Sequence, residues 1–284
     1  MWWLLGLPGI LLVAWGVASA HRVLYPEHHL LPIPHPEPSV EAHRLIAEDG
    51  RAFTVWRLRP HSPRARVLLC HGYYASRYQV LDIAQGLRQR GYEVLVLELR
   101  GHGDRPGPCT LGMKESADGI QVLTWAKAQS GVAEIPVGVV GLSMGAAVVC
   151  QIAARCQMVR AVVVDSVYSR LFPVLCRSMW IRYCVPAVPW GWVTWCSLHL
   201  ALRRRLSRID PVVLAERLTV PLLAIQGGED RRVVPLLGRE FYQRWAGPKE
   251  RWFEPQVAHV GMFAKHPVEY CDRISAFFDR VLVV

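Results

Sequence analysis

The segment GLSMG at 141–145 carries the residue types and spacing best suited to chemistry in this chain. A short β-branched run at 137–140 precedes it and predicts a buried strand, and the apolar run at 146–154 predicts a helix. A serine between two glycines at a strand-to-helix turn is typical of a nucleophile elbow, which raises the serine hydroxyl above the sheet. A Cβ in place of either glycine would crowd that sharp turn. We therefore predict that Ser143 is a nucleophile.

A serine hydroxyl needs a positioned base to remove its proton. After an elbow serine, the carboxylate and then the histidine of a triad follow in chain order. His259, in the small-residue segment AHVG at 258–261, is the predicted base. Asp230, directly after a predicted strand, is the predicted acid, which would hold the imidazole in the correct tautomer. Glu229 and Asp165 remain alternatives for the acid.

The negative charge that develops on a substrate oxygen needs two backbone N–H donors. The amide of Met144, directly after the nucleophile, is the first predicted donor. The second is the amide of Tyr73, in the loop after a predicted strand at 67–70. Gly72 would let the backbone approach closely, and we interpret His71 as a structural residue of the same loop.

The elements that must position these residues alternate between apolar runs and amphipathic helical stretches. This alternation favours an α/β domain over residues 40–284, with a mostly parallel sheet and helices on both faces. Asp49-Gly50 predicts the turn of an opening hairpin. Between about 167 and 219 the strand pattern stops, which predicts a helical cap. Its tryptophans either face an acyl chain or a membrane surface, or bury against the cap itself.

The amino-terminal residues 2–20 contain no charged side chain. As a helix they would span roughly 28 Å, close to the thickness of the hydrocarbon core of a bilayer. We predict that residues 1–20 form a single-pass membrane anchor, with a cleaved signal segment and a buried core helix as alternatives. Arginines follow this segment, so the positive-inside rule predicts a cytoplasmic catalytic domain. The Pro- and His-rich residues 21–39 predict a linker.

The composition of the chain limits the classes of partner that we expect it to bind. The net charge is +10, but the arginines that supply most of it are scattered, without a basic stripe and interleaved aromatics, so we do not expect nucleic-acid binding. The apolar share of 52% and the 11 tryptophans favour contact with a membrane or an apolar ligand. The eight cysteines form no CxxC pair and no metal-ligand spacing, which favours reduced thiols and no metal site. A disulfide among Cys176, Cys184 and Cys196 is the alternative.

Taken together, these motifs resemble the α/β-hydrolase superfamily. They are most similar to the monoacylglycerol-lipase-like and serine-aminopeptidase-like hydrolases, some of which carry an amino-terminal membrane anchor. The segments that match are HGYYAS at 71, LRGHGD at 99, GLSMG at 141, QGGEDRRVVP at 226 and AHVG at 258. Gln226 stands where many relatives have histidine, and one extra residue separates the acid from Pro235.

The resemblance implies an eight-stranded α/β-hydrolase fold and a serine hydrolase without metal or organic cofactor. With the anchor and the Trp-rich cap, it favours cleavage of carboxylic esters, in particular lipid or acyl esters, through an acyl-enzyme. A serine peptidase or a thioesterase of the same fold is the enzymatic alternative. A non-catalytic, membrane-tethered binding protein is the alternative from another class.

Overall fold

The computed structural model describes residues 3–26, 39–129 and 135–282. Its strands form one eight-stranded sheet in the order β1-β2-β4-β3-β5-β6-β7-β8. The strands are β1 (Glu41–Ile46), β2 (Ala52–Leu58), β3 (Ala65–Cys70), β4 (Tyr92–Leu97), β5 (Val137–Leu142), β6 (Val159–Asp165), β7 (Leu222–Gly227) and β8 (Lys249–Glu254). β2 pairs antiparallel with β1 and β4, and all other neighbours are parallel. This sheet confirms the predicted fold class.

The central strands are apolar along their whole length because both faces of the sheet are covered. β3, β4, β5 and β7 are buried at every residue. Along β3, Leu68 and Cys70 belong to one hydrophobic core, whereas Val67 and Leu69 belong to the core on the opposite face. This alternation follows the two-residue period of a strand.

Helices cover both faces, as the sequence predicts. They are α1 (Trp3–Leu24), α2 (Leu81–Gln89), α3 (Met113–Ala128), α4 (Met144–Ala153), α5 (Leu171–Tyr183), α6 (Trp192–Leu202), α7 (Pro211–Ala215), α8 (Pro235–Arg244), α9 (Met262–Lys265) and α10 (Pro267–Leu282). Apolar residues of α2 and α10 join Val67 and Leu69 in one core. Those of α3, α4 and α8 join Leu68 in the other.

The predicted helical cap is present between β6 and β7, where α5, α6 and α7 follow one another. Its tryptophans divide between the two environments considered from the sequence. Trp190 and Trp195 pack against the core. Trp180 and Trp192 are 56% and 53% exposed.

Helix α1 packs against the cap, and its last residue contacts the loop between β4 and α3. Gly16 allows this approach, because a Cβ there would clash with the side chain of Val193 on α6. Trp15 makes an edge contact with Trp190, with ring centroids 5.4 Å apart. Near the end of the helix, Leu24 is buried and its carbonyl accepts a hydrogen bond of 2.7 Å from the Cys109 amide.

The prediction that residues 1–20 form a single-pass membrane anchor is wrong. The predicted localisation to a membrane through this anchor is wrong with it. None of the helices in the described part of the chain combines the length and the hydropathy that a membrane span requires. The apolar run instead supplies packing surface, since Ala20 and Leu24 belong to the same core as the sheet. Helix α1 continues to Leu24, within the predicted linker at 21–39. Residues 27–38 of that linker lie outside the described residues, so the linker stays a prediction.

Candidate active site

Ser143 stands at the turn between β5 and α4, as the sequence predicts. Its backbone has φ of +53° and ψ of −114°, a region that non-glycine residues seldom adopt. The two flanking glycines are required by space. A Cβ on Gly141 would clash with the Gly145 carbonyl, and a Cβ on Gly145 with the Cys70 carbonyl of the neighbouring strand. The turn therefore holds the Ser143 hydroxyl in a strained position at the carboxyl edge of the sheet.

The structure brings Ser143, His259 and Asp230 together. His259 lies in the loop between β8 and α9, and its Nε2 is 2.9 Å from the Ser143 Oγ. Its Nδ1 is 2.7 Å from the Asp230 Oδ2. One imidazole thus bridges a hydroxyl and a carboxylate, the geometry in which a histidine can take a proton from a serine.

Asp230 occupies the turn after β7 and is only 3% exposed. Its Oδ1 accepts hydrogen bonds from the backbone amides of Arg232 and Val233, at 2.9 and 2.8 Å. These two donors fix the carboxylate so that Oδ2 faces the imidazole. Glu229, the neighbouring alternative, is exposed.

Asp165, the other alternative acid, is the last residue of β6. It is fully buried and accepts hydrogen bonds from the Tyr270 and Ser166 hydroxyls, at 3.0 and 2.9 Å. The Ser166 Oγ in turn accepts a hydrogen bond of 3.0 Å from the amide of Val260, next to His259. Asp165 therefore supports the loop that carries His259 through Ser166. Burial raises the pKa of the Asp165 carboxyl to about 6.

The raised pKa of Asp165 predicts that the free energy of unfolding of this protein depends on pH. Because the folded pKa exceeds the usual 3.8, the folded protein binds more protons than the unfolded chain between pH 4 and 6. The free energy of unfolding attributable to Asp165 therefore falls as pH rises through that window. We expect Asp165→Asn to remove this fall. The free energy of unfolding of the variant minus that of the wild type should therefore be about 2 kcal/mol larger at pH 7.5 than at pH 4.

Urea unfolding of the wild type and of Asp165→Asn at both pH values measures this difference. Asp82→Asn, at an exposed position on α2, is the control and should track the wild type at both pH values. A wild-type-to-Asp165→Asn difference that is the same at pH 4 and 7.5 would contradict the prediction.

The two predicted oxyanion donors belong to residues that border the same cavity as Ser143 and His259. The loop of Tyr73 lies against the elbow, since a Cβ on Gly72 would come 3.5 Å from the Ser143 Cβ. His71 is buried in that loop, where its Nδ1 is 2.8 Å from the Gly72 carbonyl oxygen and its Nε2 accepts a hydrogen bond of 3.1 Å from the Leu99 amide. His71 thus has the structural environment expected from the sequence.

The cavity above Ser143 has a volume of about 620 Å³. Apolar side chains of the cap form much of its wall, among them the buried Leu175, Met179 and Leu198. Helix α1 also contributes, through Ser19, Arg22 and Val23. Sequence reasoning missed this contribution because nothing local in α1 signals the long-range contact. The contact includes a hydrogen bond of 2.9 Å from the Tyr73 hydroxyl to the Val23 carbonyl.

The chain is similar to a known protein family and to proteins from two bacteria. The family model described as Hydrolase_4, serine aminopeptidase, S33, matches residues 61–190. Uncharacterized protein Rv2307c of Mycobacterium tuberculosis is 30% identical over 219 residues, which cover 75% of this chain and 69% of that protein. Uncharacterized protein YqkD of Bacillus subtilis is 22% identical over 231 residues, or 80% of this chain and 75% of that protein.

Among solved structures, the Pyrococcus furiosus esterase Pf2001 superposes with a TM-score of 0.75 at 24% identity, covering 92% of this chain and 98% of that one. A thermostable carboxyl esterase from Bacillus coagulans superposes with a TM-score of 0.67 at 15% identity, covering 86% of this chain and 99% of that one. These likenesses show the fold. The 30% identity with Rv2307c, over more than two thirds of that protein, shows that this chain belongs to the same family as the mycobacterial protein.

Proposed function

We propose that this protein is a serine hydrolase that cleaves carboxylic esters through an acyl-enzyme. The observation that carries the proposal is the continuous hydrogen-bonded series from Ser143 through His259 to Asp230, at 2.9 and 2.7 Å, beside a cavity large enough for a small organic substrate. A non-catalytic binding protein of this fold would have no need to keep a strained serine, a base and a buried acid in this alignment.

In the proposed reaction, the Ser143 Oγ attacks the ester carbonyl carbon while His259 takes the hydroxyl proton at Nε2. The Met144 and Tyr73 amides would donate to the carbonyl oxygen as it becomes negative. His259 then gives its proton to the departing alcohol, and a water molecule, deprotonated by the same imidazole, releases the acid. Asp230 keeps the imidazole in the productive tautomer and stabilises its protonated form.

Esters are favoured over aminopeptidase substrates by the charge of the cavity wall. An aminopeptidase must recognise the free α-ammonium group of its substrate, for which a carboxylate is the natural partner. Among the lining residues that the structure describes, none is Asp or Glu. The buried apolar wall formed by Leu175, Met179 and Leu198 supports acyl esters as the substrate class.

A substrate comparison tests this choice. We expect 4-nitrophenyl butanoate to be hydrolysed with the highest kcat/KM, ahead of its uncharged thioester counterpart, S-(4-nitrophenyl) thiobutanoate. Alanine 4-nitroanilide and propanoyl 4-nitroanilide form a matched pair that differs only in the α-amino group. The amino group should bring no gain in kcat/KM, because the described wall offers it no carboxylate.

A large preference for the alanyl over the propanoyl anilide would instead favour an aminopeptidase. Failure to turn over any of these compounds would count against catalysis itself.

A further inference from the structure

The charged side chains around the cavity are all of one sign. Besides His259, the charged residues on its described wall are Arg22, Arg182 and Arg232. They come from three separate parts of the fold, namely α1, α5 and the turn after β7. Three arginines line one cavity, and no residue on the described part of its wall is acidic, which favours a positive potential there.

Each of the three arginines is tied to the active-site region by a contact of its backbone, of its side chain or of the next residue. Arg22 precedes Val23, whose carbonyl accepts the hydrogen bond from the Tyr73 hydroxyl. The Arg232 amide donates to the Asp230 carboxylate at 2.9 Å, so this arginine lies two residues from the proposed catalytic acid. The guanidinium of Arg182 lies 5.2 Å from the ring centroid of Tyr74, which also borders the cavity.

The positions of the arginines and of the apolar residues divide the cavity into two chemical zones. All three arginines are exposed, so they lie toward solvent. Leu175, Met179 and Leu198 are at most 7% exposed, so they form the inner wall. A ligand that fits both zones has an apolar portion for the inner wall and a negative charge for the outer one. Guanidinium groups suit carboxylates and phosphates because their planar fork can donate two parallel hydrogen bonds.

We infer that the substrate is an acyl ester that carries an anionic group, a carboxylate or a phosphate, apart from the ester that reacts. The apolar portion packs against the cap, and Arg22, Arg182 and Arg232 hold the anion. This inference rests on the proposed ester hydrolysis and adds the charge of the substrate. It also gives α1 a part in substrate recognition, through Arg22.

The test compares matched pairs of esters, in each of which one ester carries an anionic group and the other carries its neutral methyl ester. The first pair is 4-nitrophenyl hydrogen adipate and 4-nitrophenyl methyl adipate, with the charge on the acyl side. The second is 4-(butanoyloxy)benzoate and its methyl ester, with a carboxylate on the alcohol side. The third is 4-(butanoyloxy)phenyl phosphate and its dimethyl ester. The measured quantity is the ratio of kcat/KM for the anionic ester to that for its neutral partner.

The variant is the triple substitution Arg22→Gln, Arg182→Gln and Arg232→Gln. We expect it to lower this ratio about tenfold or more in at least one pair, because three charge-assisted contacts to the anion are lost. The pair that responds identifies the anion and its side of the ester. The control is the triple substitution Arg204→Gln, Arg208→Gln and Arg217→Gln, which removes the same charge from exposed sites outside the cavity wall. It should change the ratio by less than about twofold, since these arginines do not line the cavity and exposed charges are screened by salt.

A measurement on the wild type keeps the inference testable should the triple variant fail to fold. Raising sodium chloride from 0.02 to 0.5 M should lower the ratio in the responding pair, because salt screens exposed charges. If the esters are hydrolysed but the ratio is insensitive to the variant and to salt in all three pairs, the inference is wrong and the proposed function stands. If no ester in the set is hydrolysed, both are wrong.

Discussion

Replacement of Ser143 by alanine is expected to lower kcat/KM for ester hydrolysis by about 10⁵-fold or more, as in other serine–histidine–carboxylate triads. The alanine removes the atom that would form the covalent bond to the acyl group, so His259 and Asp230 have no nucleophile left to activate. The neighbouring glycines and the backbone of the elbow are unchanged. Steady-state hydrolysis of 4-nitrophenyl butanoate by both proteins measures the loss.

Ser178→Ala is the matched control, because Ser178 is another serine that borders the cavity. Its replacement should leave kcat/KM within about tenfold of the wild type, as expected for loss of at most one neutral hydrogen bond. Activity of Ser143→Ala comparable to that of Ser178→Ala would remove Ser143 from the role of nucleophile.

Replacement of Asp230 by asparagine is expected to lower kcat by about 10⁴-fold. The isosteric amide keeps the shape of the turn, but an NH₂ group facing the His259 Nδ1 favours the tautomer with its proton on Nε2. That nitrogen could then no longer accept the Ser143 proton. The same kinetic assay on the purified variant measures the effect.

Glu229→Gln is the matched control for Asp230→Asn, since Glu229 is the adjacent acid and is exposed. It should retain kcat within about threefold of the wild type, in line with the small effects of exposed substitutions. A larger loss in Glu229→Gln than in Asp230→Asn would transfer the role of the acid to Glu229.

The sheet could be predicted from the sequence because parallel strands must bury both faces. The run 137–140 predicts the strand that the structure extends over Val137–Leu142. The apolar segment at the amino end could not be assigned in the same way. A helix that packs on protein and a helix that spans lipid both need apolar residues, so hydropathy alone does not separate them. The small residues that let α1 approach the cap, such as Gly16, have meaning only once α6 is in place.

The three residues of the proposed triad could be selected from the sequence because each lies next to a predicted element. Ser143 and Asp230 follow predicted strands, and His259 lies in a small-residue segment before the last helix. The sequence favours Asp230 as the acid but leaves Glu229 and Asp165 as alternatives, since three carboxylates follow two neighbouring strands. Burial and direction distinguish them in the folded protein. Asp230 faces His259, Glu229 is exposed, and Asp165 contacts Ser166 and Tyr270. The arginines of the cavity come from distant segments, so no local pattern relates them.

The central claim is that Ser143 is an activated nucleophile. The most direct measurement treats the wild type with a fluorophosphonate, followed by intact-protein mass spectrometry and mapping of the adduct to a peptide. We predict one adduct per chain, located on Ser143, formed rapidly in the wild type and at least about 10²-fold more slowly in His259→Ala, which lacks the base. An unlabelled protein, or an adduct on a different serine, would contradict the account.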